Sequence, residues 1–410
     1  MTTHWAIFVD NDSNKSLFID NILKQSHPDF ATFSNKKGAL FSPYTVKKMI
    51  DIEEQHGHST IKEITQPLKT MSSGEQKKTL LRHILESQPD FIILDNPFDN
   101  LDSDFQTELK QILLDKKQEI SFIQLASRKS DVLPFIDHFG VLKESKFTFI
   151  DIEGIPDGFD AYPPFNKKIP KPIHVLEPLE NTLIEFRNVS ISYESKPILY
   201  NISWKVEKGD FWQLTGKNGS GKTTILSMIF GDNPKAYGQD IYIFGKQKGS
   251  GESVWEIKEK IGYFSSNMTD KYKGMHSVEH MLISGFTDSV GLYTLATETQ
   301  KQRGKEWLVL LDLWEKRNTL FKYLSLGQQR LLLTARAMVK HPPVLILDEP
   351  TAGMDDASAH LLVALVNKIA TETSTTIIFV SHRTEPGLRP QSIYELEMTS
   401  KGSKGTSIIL

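Results

Sequence analysis

Residues 88–97 read QPDFIILDNP and residues 341–350 read HPPVLILDEP, and this internal repeat limits the chain more than any other feature. Each stretch is an apolar, branched run ending in an acidic turn, the pattern of a parallel strand buried on both faces. Asp95 and Asp348 stand 253 positions apart. So do Met71 and Leu324, which open MSSGEQKKTLLRHIL and LSLGQQRLLLTARAM. Downstream, QLASR pairs with FVSHR and sets Ser127 against His382, 255 positions apart. Three blocks in one order mean duplication, so the chain reads as two related domains. Strand-like runs followed by helical patterns, such as DFWQLTG before TTILSMIF, fill both halves. They predict α/β domains with largely parallel sheets.

The copies are unequal. Lys222 and Leu324 are 102 positions apart, whereas Lys15, the counterpart of Lys222, is 56 positions from Met71. Lys15 lies so near the start that the first copy is expected to lack a strand before its first loop. Between the copies, Pro156, Pro163, Pro164, Pro170, Pro172 and Pro178 crowd together with Gly154 and Gly158. Proline fixes φ and disfavours helix, so residues 151–182 are expected to form a semi-extended linker. That places a first domain at 1–150 and a complete second domain at 183–410.

Residues 216–223, GKNGSGKT, follow an apolar strand and precede a helical pattern. In that setting G-x-x-x-x-G-K-[ST] cradles phosphates. Gly216, Gly219 and Gly221 permit close backbone approach, and the loop amides then form an anion nest at a helix N-terminus. Lys222 is expected to reach the β- and γ-phosphates and Thr223 to hold Mg²⁺. Asn218, Ser220 and Thr224 complete the set expected to touch the nucleotide. The first copy has VDNDSNKS at residues 9–16. Lys15 and Ser16 survive, but Val9, Asp12 and Asn14 replace the glycines, and Asp10 and Asp12 set carboxylates where phosphates would lie. A loop kept for the fold is favoured over one that grips nucleotide.

Composition narrows the chemistry. The chain has no cysteine, which excludes disulfides, thiolate zinc sites, cysteine-ligated clusters and cysteine nucleophiles, and fits a reducing compartment. A net charge of −3 argues against a broad nucleic-acid surface. No apolar run reaches the roughly 18 residues that a membrane-spanning helix needs. The opening MTTHWAIFVDNDSNKS lacks the pattern of a secretory signal. A cytoplasmic protein, peripheral at most on the inner face of the membrane, is expected.

Taken in this order, the blocks resemble the ATP-binding cassette (ABC) ATPases. The resemblance covers nearly the whole chain, as two tandem P-loop NTPase domains, each with a largely parallel sheet and a helical subdomain, the first domain reduced and degenerate. The second half, through LISGFTDSVGLYTLATETQKQ and LSLGQQRLLLTARAMVKHPPVLILDEP, is similar to the ModF or photorepair type, associated with molybdate transport. The resemblance implies ATP and Mg²⁺ as ligands, each ATP lying between the phosphate loop of one cassette and the LSGGQ-like loop of the other. LSLGQ would supply Ser325 and Gly327, and MSSGE would supply Ser72 and Gly74. Ser325-x-x-Gln328 and Ser72-x-x-Glu75 also read as capping boxes, and a capped helix start suits a γ-phosphate. By the same resemblance Asp348 positions Mg²⁺, Glu349 polarises the attacking water, His382 senses the γ-phosphate, Tyr193 stacks on adenine, and residues 352–355 link the two sites.

Departures from the family pattern carry as much weight. Ser266 stands where the family has a glutamine that meets Mg²⁺ and relays to a membrane partner. Asn96 and Ser127 replace the glutamate and histidine in the first copy. One competent composite site follows, joining Lys222, Thr223, Asp348, Glu349 and His382 to Ser72 and Gly74 in an intramolecular pseudo-dimer. ATP hydrolysis there would drive either transport through a separate membrane permease or a regulatory switch acting on a macromolecular partner. The short proline-rich linker and the acidic balance speak against a translation factor, and no nucleic-acid partner is expected.

Overall fold

The computed structural model describes residues 2–410 apart from 12, 57–65, 100, 102, 152–164, 175–178, 252, 273 and 290. Asp12, most of the proline cluster and both glycines of the linker therefore lie outside the described residues. The chain divides into two compact units. One comprises Met1–Gly158 with Ala352–Asp356, the other Phe159–Thr351 with Ala357–Leu410.

The first unit runs β1 (His4–Val9), α1 (Lys15–Leu23), β2 (Gly38–Phe41), α2 (Pro43–His56), α3 (Ser73–Glu86), β3 (Phe91–Asp95), α4 (Ser103–Lys116), β4 (Ser121–Ala126), β5 (His138–Lys143) and β6 (Lys146–Ile150). The sheet order is β2-β3-β4-β1-β5-β6, parallel except for β6, which returns antiparallel beside β5. Side chains alternate across a strand, so each strand feeds two cores. Ile92 and Leu94 pack with Leu80, Leu81 and Leu109 on one face. Phe91 and Ile93 pack with Phe18, Ile19 and Ile22 on the other. This two-sided burial is why FIILD is apolar until its last residue. The expectation that no strand precedes the first loop is wrong: β1, HWAIFV, lies between β4 and β5. Six residues suffice because the strand is buried along almost its whole length.

The second unit repeats this layout and adds to it. It runs β7 (Thr182–Tyr193), β8 (Lys196–Glu207), β9 (Phe211–Gly216), α5 (Lys222–Phe230), β10 (Ile241–Ile243), β11 (Lys246–Gln247), α6 (Val254–Glu259), β12 (Ile261–Ser265), α7 (Met268–Lys271), α8 (Val278–Ile283), α9 (Glu298–Leu310), α10 (Leu326–Met338), β13 (Val344–Asp348), α11 (Asp356–Glu372), β14 (Thr376–Val380), β15 (Ser392–Glu397) and β16 (Lys404–Ile409). Its main sheet has the order β12-β13-β14-β9-β15-β16, the order of the first unit. A separate antiparallel sheet, β11-β10-β7-β8, has no counterpart among the described residues of the first unit. Trp204 of β8 stacks on Tyr394 of β15 at 4.6 Å and joins the two sheets in one core. Ile169 and Pro170 are buried in this unit, and the Ile169 amide donates to Glu372 Oε2 at 2.8 Å. That part of the proline-rich stretch is thus a docked strap.

Candidate nucleotide site

β9 delivers the chain to Gly216, and α5 starts six residues later at Lys222. In between, the backbone takes φ of 80° at Gly219 and 93° at Gly221, a region that favours glycine. A Cβ on Gly221 would also lie 2.6 Å from Leu199 Cδ2. A helix start directs backbone N–H groups outward, and this suits the beginning of α5 to anions. Lys222 is buried, and its Nζ donates to the carbonyls of Gly216 at 2.6 Å and Lys217 at 3.1 Å. Ser220 is wholly buried, and its Oγ has no hydrogen-bond partner.

The acidic side of the site comes from the ends of neighbouring parallel strands. Asp348 closes β13 and is in register with Ser265 of β12 and Val380 of β14. Glu349 follows with φ of 50°, a left-handed conformation that costs on the order of 1 kcal/mol or more for such a residue. Its amide donates to the Val380 carbonyl at 2.9 Å, which holds the turn. The turn aims the carboxylate at His382, whose Nδ1 lies 2.9 Å from both Glu349 oxygens. The other ring nitrogen, Nε2, is buried without a partner. Burial first, and the neighbouring Glu349 charge second, hold the Asp348 carboxyl above its ordinary range. Burial and the Asp348 charge likewise push the Tyr263 hydroxyl up to about 12. Two adjacent carboxylates in one pocket make a place where a cation is welcome.

One pocket gathers Tyr193, Asn218, Gly219, Gly221, Lys222, Thr223, Thr224, Asp348 and Glu349. Ser266 lines it too, with Ser265 and Asn267, which sequence reasoning did not single out. Their signal was position: they lie at or just past the carboxyl end of a parallel strand, where open α/β sheets hold ligands. Tyr193 sits at the tip of the β7–β8 hairpin. Glu194 and Ser195 both have positive φ there, and Tyr193 pairs with Lys196 across the turn.

The LSLGQ residues lie outside this pocket lining. Ser325 caps α10, its Oγ accepting from the Gln328 amide while Gln328 Oε1 accepts from the Ser325 amide. A Cβ on Gly327 would lie 2.3 Å from Ser358 Oγ, so this turn tolerates no side chain without movement. In the first unit Ser72 caps α3 in the same way with Glu75. Gly74 there has more room, with Phe105 3.9 Å from an added Cβ.

The first unit's own phosphate-loop position is occupied by internal bonds. Lys15 Nζ pairs with Asp95 Oδ1 at 3.1 Å. Ser13 Oγ is 2.6 Å from Asp10 Oδ1 and from the Leu142 carbonyl, and the Asn14 amide donates to the Glu144 carbonyl at 2.6 Å. Asn96 has the same left-handed backbone as Glu349, with φ of 43°. Its Nδ2 donates to Ser127 Oγ, and its Oδ1 accepts from the Ser127 amide, both at 3.0 Å. The scaffold of the Glu349–His382 pair is preserved, with a neutral pair in its place.

Comparison with known proteins bears on the family and the fold. The family model described as ABC transporter matches residues 199–352. The chain is 35% identical over 353 residues to "ABC transporter ATP-binding protein ModF" of Escherichia coli (strain K12), covering 82% of this chain and 71% of that protein. It is 30% identical over 327 residues to "Uncharacterized ABC transporter ATP-binding protein C323.04" of Schizosaccharomyces pombe, covering 77% of this chain and 65% of that one. The fold matches a chain in a model of ribosome-bound archaeal Pelota and ABCE1, with a TM-score of 0.66 at 14% identity over 99% of this chain and 75% of that chain. Among the described residues no helix is long and apolar enough to cross a membrane. With the ABC transporter model matched over residues 199–352 and 35% identity to a relative covered over 71% of its length, the chain belongs to the ABC ATP-binding proteins and is an ATPase of that family.

Proposed function

We propose that this ATPase hydrolyses ATP at one site, in the second unit, and serves as the motor subunit of an ABC transport system. The observation that carries the one-site reading is the contrast between two equivalent turns. One pairs Glu349 with His382, and the other pairs Asn96 with Ser127. A carboxylate can orient water and accept its proton, whereas a carboxamide cannot. In this reading Lys222 and the loop amides bind the β- and γ-phosphates, Tyr193 stacks on the base, and His382 holds Glu349 in line. Thr223 and Asp348 fit Mg²⁺, since both are hard oxygen donors and the raised Asp348 carboxyl gains from a neighbouring cation. Among the described residues no cluster of three or more acidic or histidine side chains could hold a metal alone, so the phosphates complete this site. Mg²⁺ when bound supplies charge neutralisation at the transferred phosphoryl group.

Ser72 and Gly74 at the start of α3 would close over the nucleotide held by Lys222, in one chain. Ser325 and Gly327 would close over the first loop. The domains in this reading run 1–150 and 183–410. Support for the transport role comes from the names of the relatives, and the sequence resemblance implies an oxyanion cargo of molybdate type. A second reading, a switch that grips a macromolecular partner in its ATP-bound form, is favoured by one residue. Ser266 lines the pocket where the family glutamine would relay to a permease. The test uses the Glu349→Gln protein with ATP as bait against native membranes and cytosol. Recovery of a permease supports the motor. Recovery of a soluble assembly alone overturns it in favour of the switch.

A further inference from the structure

We propose that Asn233 is a positioning residue that fixes the Tyr193 ring at a set distance from the phosphate loop, and so makes the site select for a nucleoside triphosphate over bare polyphosphate. This rests on the reading of Tyr193 as the base-stacking ring. Tyr193 stands at a hairpin tip with 41% of its surface exposed, so little around it limits the ring. Asn233 is 5% exposed, and its bonds leave no freedom of orientation. The Lys235 amide donates to Asn233 Oδ1 at 3.0 Å, which assigns the oxygen and turns Nδ2 the other way. Nδ2 has two protons and two acceptors, Tyr193 Oη at 2.8 Å and Ser227 Oγ at 3.1 Å. The Asn233 amide itself donates to the Ser227 carbonyl at 3.2 Å. Ser227 belongs to α5, and its hydroxyl donates at 2.8 Å to the carbonyl of Thr224, in the first turn of the phosphate-loop helix.

The chain of bonds therefore runs from the Tyr193 hydroxyl through Asn233 and Ser227 to the residue beside Thr223. It connects the two ends of the nucleotide pocket through protein that is not part of the pocket lining. A ligand that reaches both ends gains from this fixed spacing because the ring is already ordered before it binds. A ligand that reaches only the phosphate loop gains nothing.

The experiment measures equilibrium binding of ATP and of inorganic tripolyphosphate to the full chain, in a Glu349→Gln background so that ATP is not consumed. Loss of one such hydrogen bond corresponds to about a fivefold change in affinity. Asn233→Ala and Tyr193→Phe are each expected to weaken ATP about fivefold and leave tripolyphosphate unchanged. The double variant should be no worse than either alone, because both remove one bond. Asn233→Asp can still accept from the Lys235 amide and from the Tyr193 hydroxyl, and should recover most of the loss. Tyr193→Phe alters a half-exposed rim residue and reports even if Asn233→Ala folds poorly. Equal weakening of tripolyphosphate, or parent ATP affinity in Tyr193→Phe, overturns the proposal. If Tyr193→Ala weakens ATP while Tyr193→Phe does not, stacking stands and only the clamp is lost. If Tyr193→Ala also binds ATP like the parent, the stacking reading falls and the proposal with it.

Discussion

His382 Nδ1 lies 2.9 Å from both carboxylate oxygens of Glu349, although the two residues are 33 positions apart. The pair forms because β13 and β14 are adjacent and parallel, and each sends its next residues out of the same sheet edge. Glu349→Gln keeps the size and the left-handed turn but removes the base. We expect steady-state ATP hydrolysis to fall by roughly a hundredfold or more, with ATP binding retained. Phosphate release and nucleotide titration check this, and turnover near the parent rate would remove Glu349 from the chemistry.

The two lysines at equivalent places should behave differently. Lys222→Ala strips the buried ammonium from the loop and should abolish hydrolysis. Lys15→Ala breaks only the partly exposed pair with Asp95. Such pairs contribute about 1 kcal/mol or less, so stability should hardly move and hydrolysis should stay within about twofold of the parent. Equal losses in both variants would show that the first site works too.

Asp348 offers a test through pH. Its carboxyl is raised by burial and by Glu349, and the proposed role in holding Mg²⁺ needs it ionised. As pH falls, Asp348 takes up a proton sooner than an ordinary carboxylate, so Mg²⁺-dependent nucleotide binding should weaken at a higher pH than ordinary carboxylates would predict. The stability of the metal-free protein should move the other way. An acid whose folded pKa is raised favours the folded state as pH falls through that value. Asp348→Asn should flatten both dependences, as read by nucleotide titration and thermal melts across pH.

Thr351 donates from its hydroxyl to Glu385 Oε1, and both residues are buried. The bond ties the turn after Glu349 to the turn after His382. Thr351→Val keeps the shape and removes the donor from a buried carboxylate, which should cost about 1.5–3 kcal/mol in denaturant unfolding. Thr351→Ser should restore most of it. A valine variant as stable as the parent would deny the bond any role.

The proposed closure within one chain makes a further prediction. Ser72→Arg should block hydrolysis at the site built on Lys222, and the parent's specific activity should not change on dilution. Tethering gives an effective concentration around millimolar, well above any dilution series. A fully active Ser72→Arg protein would remove the first unit from the site.

Several of these residues were legible without coordinates. The phosphate loop, the strand ends at Asp95 and Asp348, and the pairing of Ser127 with His382 all follow from spacing, because duplicated strands keep their offsets. Even the loss of Glu349 and His382 in the first copy could be read at Asn96 and Ser127. Strand β1 is hard to read because a short strand buried on both faces carries no alternation to distinguish it from a loop.

Local chemistry and order can be read along the chain: which loop can bend around phosphate, which helices are capped, which strands are buried, and that two copies follow one another. Partnership across distance is set by packing. Lys15 could have faced solvent, but the adjacency of α1 and β3 sets it against Asp95. Asn233 looks like a turn residue, and only the packing of the β7–β8 hairpin beside α5 brings it to Tyr193. The proline-rich stretch reads as extended chain, yet Ile169 and Pro170 are buried in the second unit. Hydrophobic pattern specifies which faces must be covered. It leaves open which side chains meet once they are, and that follows from strand order and helix placement in three dimensions.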